Sequence, residues 1–192
     1  MAEHIANRRK GEHNHGHGAA ERVGEGDTAG ACAPVGVSAQ AVRRLAWGRY
    51  RAVFAGLPEP QALPPSGDFR SEFIGPGWLR ATAGPSLALT GLWGWCGKRF
   101  AGAGAVNLVV RQQGLRETLP MQPRIEPSSI DGRLAVRLHY PAGSGWPWRW
   151  MIDELRPLDG AVPGGAWLGM MHLELPGLRR LHFPFMLRGA RP

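Results

Sequence analysis

From residue 98 onward, apolar side chains recur at every second position, the period of a half-buried β-strand. Ala105 to Gln112 sets Val106, Leu108 and Val110 against Ala105, Asn107, Val109 and Arg111. Arg133 to Tyr140 sets Leu134, Val136, Leu138 and Tyr140 against Arg133, Ala135, Arg137 and His139. Trp148 to Leu158 places Trp148, Trp150, Ile152, Glu154 and Arg156 on one side. Trp167 to Leu175 places Trp167, Gly169, Met171 and Leu173 opposite Leu168, Met170, His172 and Glu174. Leu181, Phe183, Phe185 and Leu187 share the inward face of a last strand, and Pro184 opposite them predicts an edge position or a bulge. Leu115 to Ile125 is a weaker strand that Pro120 and Pro123 interrupt, and Ile130-Asp131-Gly132 is a turn. Earlier in the chain, Asp68 to Ile74 reads as a first strand with Phe69, Ser71 and Phe73 on one face.

No helix separates the C-terminal strands, so the pattern predicts an antiparallel β-barrel or sandwich and excludes a doubly wound sheet. Residues 37–56 show helical spacing instead, with Ser38 as N-cap and Val42, Leu45, Tyr50, Val53 and Phe54 on one face. Leu57 to Pro65 is too rich in proline for helix or central strand and serves as a linker. Residues 78–97 carry no charge except Arg80 and predict one or two short helices, divided at Gly84 and Pro85, buried or lying across a barrel end. No lysine-rich face accompanies them, which argues against a membrane-surface segment. The expected organisation is a disordered His/Gly-rich tail over 1–36, a helix and Pro-rich linker over 37–65, and the barrel over 66–192.

Charge changes this picture little. The 192 residues carry 23 basic and 15 acidic side chains, a net +8. Only Lys10 and Lys98 are lysines, and the arginines are scattered in pairs rather than blocks. That reads as a solvated arginine-rich surface, with nucleic acid disfavoured as a partner. No segment reaches the roughly 20 apolar residues of a spanning helix. The polar N-terminus lacks an apolar signal core, so a cytoplasmic location with reduced thiols at Cys32 and Cys96 is the expectation. His13, His15 and His17 in the tail could take up a metal adventitiously, and no functional metal site is expected.

The alternating segments hold the candidate chemistry. Asp153 and Glu154 are adjacent between apolar neighbours, so alternation turns one inward, where it needs a cation; Lys98, Arg99, Arg137 and Arg156 are candidates. Cys96, beside Trp95 and Lys98, is either a small core residue or a thiol of lowered pKa. Trp146, Trp148 and Trp150 alternate along one strand, and Trp78, Trp93 and Trp95 lie in the apolar connection. With the methionines, these aromatics can line an adaptable pocket.

Four segments are similar, in order and spacing, to landmarks of bacterial GXWXG-type proteins over roughly residues 50–190. They are Gly94-Trp95-Cys96-Gly97-Lys98-Arg99-Phe100, Ile152-Asp153-Glu154-Leu155-Arg156-Pro157-Leu158-Asp159, Leu168-Gly169-Met170 and Phe183-Pro184-Phe185-Met186-Leu187-Arg188. These are small proteins of unknown function with a calycin-like barrel. The naming motif is Gly-x-Trp-x-Gly, and this chain instead has Gly91-Leu92-Trp93-Gly94-Trp95. The resemblance implies a β-barrel and brings no activity, cofactor or catalytic residue with it.

Three functions fit these residues. The first is a barrel that binds a hydrophobic small molecule, lined by Trp93, Trp95, Trp148, Trp150 and Met170, with Lys98, Arg99, Asp153 or His172 as polar anchor. The second is an isomerase, cyclase or hydrolase in which Asp153, Glu154, His172 or His182 is acid or base. The third is an interaction protein that uses its basic surface. No cofactor is indicated.

Overall fold

A computed structural model describes residues 38–158 and 165–189. Eight antiparallel strands close into an up-and-down barrel, each paired with its sequence neighbours: β1 (Gly67–Phe73), β2 (Trp95–Ala101), β3 (Gly104–Arg111), β4 (Gly114–Pro127), β5 (Leu134–His139), β6 (Met151–Pro157), β7 (Ala166–Leu173) and β8 (Phe183–Gly189). β8 pairs with both β7 and β1, so Pro184 is not on an edge. It faces outward opposite Met170. The tail over 1–36, with its histidines and Cys32, lies outside the described residues. No described helix is long and apolar enough to cross a membrane.

Period two produces two cores because the barrel wall has two sides. Phe69, Phe100, Val109, Val136, Leu155, Trp167 and Leu187 meet inside. Leu168, Met170 and Met186 point outward from β7 and β8 and would be wet without a cover. Helix α1 (Tyr50–Gly56) supplies it: Tyr50 and Phe54, both fully buried, pack on them with Val42, Leu57 and Ile74. Two short 3₁₀ turns, Ala41–Arg44 and Trp47–Arg49, precede α1 and replace the single helix expected over 37–56. The Ser38 hydroxyl still accepts the Ala41 N–H, at 3.2 Å. The Tyr50 hydroxyl donates to the Val42 carbonyl at 2.5 Å, and burial pushes its pKa up to about 12.

Arg156 fastens this cover. Its guanidinium stacks on Phe54 at 4.6 Å and uses all five N–H donors. Two go to Asp131 (2.7 and 2.8 Å), and the others reach the carbonyls of Phe54, Leu134 and Arg133.

Residues 95–97, expected with the short helices of 78–97, instead open strand β2, which the alternation did not reveal. Two more expectations change. β4 runs unbroken through both prolines. Asn107 opposes Thr118 while Ala105 opposes Met121, so one extra residue bulges out beside Pro120, where Leu119 has φ +48°. A proline within a bulge breaks no regular ladder bond. Second, Trp148–Trp150 is a 3₁₀ turn, and β6 starts only at Met151. The three tryptophans therefore share no face: Trp146 is exposed, Trp148 buried and Trp150 intermediate.

Candidate functional site: a pocket in the barrel mouth

β1 ends, and β2 begins, at one end of the barrel. The chain between them forms helix α2 (Gly77–Leu89), which crosses that end. The helix continues through Pro85, so Gly84 and Pro85 do not divide it. Leu79 and Leu87 of α2 face down onto Phe73, Trp95, Trp148, Met171, Phe183 and Phe185. A cavity of about 210 Å³ remains between helix and barrel. Trp148 closes one side: its indole N–H donates to the Thr90 carbonyl just past α2, at 2.7 Å. Phe185 lies flat over Gly169 opposite it, in the space a Cβ would need.

The cavity floor is polar and almost fully buried. Lys98 on β2 and Asp153 on β6 are 1% and 2% exposed, with Nζ 2.8 Å from Oδ2. Lys98 Nζ also donates to Asn107 Oδ1 at 2.9 Å and touches Met121 Sδ at 3.5 Å, so its three protons are all committed. Trp95 Nε1 donates to the same Asn107 oxygen at 3.0 Å. Asn107 Nδ2 donates to the Tyr140 hydroxyl at 3.2 Å, and that hydroxyl donates to Asp153 Oδ2 at 3.4 Å. Burial, with the Asp153 charge second, raises the Tyr140 pKa well above its ordinary value, so the phenol stays protonated. Asp153 Oδ1 accepts nothing from the described residues, and its carboxylate borders the cavity. It is the open hydrogen-bonding position in the site.

Trp95, Lys98, Trp148 and Asp153 were legible as site residues and come together here. The other candidates do not. Trp93 is 68% exposed on the barrel rim. Arg99 faces outward and binds Asp68 at 2.5 Å and also Glu117, because its neighbour Lys98 takes the inward position. Trp150 stacks under the Arg149 guanidinium at 3.6 Å, away from the pocket. Met170 and His172 point out of β7. Trp78 and Met171, read among the aromatics and methionines able to line a pocket, also border the cavity, whereas Asn107, Tyr140 and Phe185 were missed. Asn107 was the legible one, a lone amide within the apolar run of β3.

Alternation also separates the proposed acid–base set. Asp153 lies inside the wall and Glu154 outside it, so they cannot act on one substrate. Glu154 is fully buried under the β4–β5 connection, held by the Ser128 hydroxyl, by Ser129 N at 2.9 Å and by Arg137 at 3.5 Å. His172 and His182 pack beside it with ring centroids 5.0 Å apart and planes tilted by 43°. His182 Nε2 lies 3.3 Å from Ser129 Oγ, but Arg51 donates to its Nδ1 at 3.0 Å. Nδ1 also lies 3.1 Å from the Arg180 carbonyl, so this nitrogen sits between a donor and an acceptor. Among the described residues, no group of three His, Cys, Asp or Glu could hold a metal. Burial raises the Cys96 pKa, so the thiol is not an activated nucleophile.

The histidine pair makes stability depend on pH. Burial lowers both pKa values; Arg137 adds to this at His172, and the neighbouring imidazole and Arg51 at His182, against the opposing pull of the Arg180 carbonyl at His182 and of Glu154 at both. The unfolded chain protonates these rings near pH 6.5 and the folded chain only below that. Stability is therefore complete above about pH 6.5 and declines as pH falls through that value. Neither His172 ring nitrogen has a hydrogen-bond partner among the described residues. His172→Leu should lose part of the acid-side decline in thermal midpoint; an unchanged slope would assign the decline to other groups.

The site defines a closed eight-stranded barrel whose helix-covered mouth holds an apolar pocket with a buried ion pair at its floor. No family model, curated protein or solved structure matches this chain.

Proposed function

We propose that this barrel binds a small, neutral, largely aromatic molecule carrying one hydrogen-bond donor. The observation that supports this most directly is a mostly apolar cavity with one open acceptor, Asp153 Oδ1, beside a lysine whose protons are all engaged. Apolar cavities of about 150 Å³ take up benzene, so 210 Å³ suits a one- or two-ring compound. An anionic head would meet the Asp153 carboxylate and find no free proton on Lys98. A hydroxyl or N–H would instead complete the carboxylate's hydrogen bonding in a low-dielectric site. For the barrel-enzyme reading, Asp153 lies inside the wall, while Glu154, His172 and His182 lie together outside it.

Naphthol, naphthalene and naphthoate test the proposal by quenching of tryptophan fluorescence. Naphthol should bind at least about tenfold more tightly than naphthalene, the worth of one hydrogen bond to a charged acceptor. Naphthoate should bind most weakly. In the double variant Lys98→Met with Asp153→Leu, naphthol should lose its advantage and naphthalene should still bind. If none of the three binds the native protein, the pocket is not a ligand site. Equal affinities for naphthol and naphthalene would overturn the role of Asp153.

A further inference from the structure

The barrel topology sorts the exposed apolar residues to one end. Four connections meet there: β1–β2, which contains α2, then β3–β4, β5–β6 and β7–β8. Among the described residues, eight of the ten large hydrophobics that stand exposed lie in or beside these connections. The most prominent are Leu89 (90%), Trp146 (72%), Trp93 (68%) and Trp78 (57%). They come from separate parts of the sequence and gather only because antiparallel strands alternate ends. Monomeric proteins rarely leave so much apolar surface on one face without a partner.

Charge at this end is predominantly positive. Arg80, Arg111, Arg116, Arg149, Arg179 and Arg180 lie in or beside the four connections, and residues 110–116 and 140–150 contain no acid. The nearby Glu174 is bound to Arg137 at 2.6 Å. Arg111 and Arg116 line an open cleft with Trp93, where Arg111 donates to the Trp93 carbonyl and Arg116 to Gln113 Oε1. Residues 78–97 have no basic face of their own, but the barrel brings the arginines of three other connections to the same end. Exposed tryptophan with arginine is the composition that rests at a bilayer's polar–apolar boundary, and arginine favours anionic headgroups there.

We propose that the mouth end of the barrel docks on the surface of an anionic lipid bilayer, with Trp93, Trp146, Trp78 and Leu89 in the headgroup boundary and the arginines on lipid phosphates. The contact is peripheral, since no part of this end is long enough to cross. The inference stands independently of the ligand proposal. It adds one consequence: the pocket lies at the docked end, so an apolar ligand would reach it without crossing water.

Sedimentation of the full chain with vesicles tests this. One set is pure phosphatidylcholine and the other contains an equal share of phosphatidylglycerol. Binding to the anionic vesicles should be at least about tenfold tighter and should weaken with added salt. The exposed pair Trp93→Ser with Trp146→Ser should lose about tenfold in affinity, as should Arg111→Gln with Arg116→Gln. Brominated lipid should quench the native tryptophan emission and quench the Trp93→Ser, Trp146→Ser variant less. No binding to anionic vesicles overturns the proposal. So does binding that both variants retain in full, which would place the contact elsewhere on the chain. So does a concentration-dependent dimer that the tryptophan variants abolish, which would make this end a protein interface.

Discussion

Lys98→Met alone should destabilise the barrel by about 3–5 kcal/mol, because it leaves the Asp153 carboxylate buried without its cation. Asp153 is 2% exposed, and Lys98 is the only cationic side chain among the described residues that line its cavity. Adding Asp153→Leu removes the stranded charge along with its partner. The double variant should recover most of the loss and could exceed the native protein, since well-packed apolar replacements of buried ion pairs are often neutral or stabilising. Denaturant midpoints of the two variants and the native chain check this, provided the m-values agree. If the double variant is as unstable as Lys98→Met, the cost came from lost packing rather than from an uncompensated charge. Should Lys98→Met fail to fold, the double variant still decides between the two causes. A stable double variant would mean that the pair is kept for what it offers in the pocket.

Gly97→Ala should be worth at least about 3 kcal/mol, at the upper end of overpacking costs. A Cβ at Gly97 would sit 2.0 Å from the Phe69 carbonyl oxygen and 3.0 Å from its carbon. Those are backbone atoms of β1, which β2 and β8 hold on both sides. No side-chain rotation relieves the clash, so the β1–β2 seam has to open. At Gly104 a Cβ would meet only the Ala101 carbonyl at 3.7 Å, an ordinary contact. Gly104→Ala is therefore the matched control and should be close to neutral. Equal thermal midpoints for the two variants would show that the seam can give way.

Much of the barrel was legible because strand period is a local property. The faces of β5, β7 and β8 read directly, as did Phe69, Ser71 and Phe73 on β1. A second reading also holds: adjacency of Asp153 and Glu154 meant opposite faces, and both proved to be paired, with Lys98 inside and Arg137 outside. The tryptophan series 146, 148 and 150 misled. Equal spacing in sequence suggested one face, but the chain is still turning there and the strand has not begun. His172 and Met170 misled for a different reason. They lie on an outward face that α1 and the residues around it bury, so apolar character on β7 did not distinguish the pocket from the outer wall.

The sequence by itself determined seven of the eight strands, the antiparallel all-β class and the presence of an inward carboxylate in need of a cation. Each follows from side-chain alternation and from the cost of burying charge, which act over a few residues. Register was decided only by the tertiary structure. On β3 the two faces are nearly equal in apolar character, and only pairing with β2 and β4 turned Asn107 inward to meet Lys98. Closure then chose which tryptophans line the mouth and which stand on its rim. Those outcomes depend on contacts between segments far apart in the chain, and no local pattern encodes which of two similar faces another strand will cover.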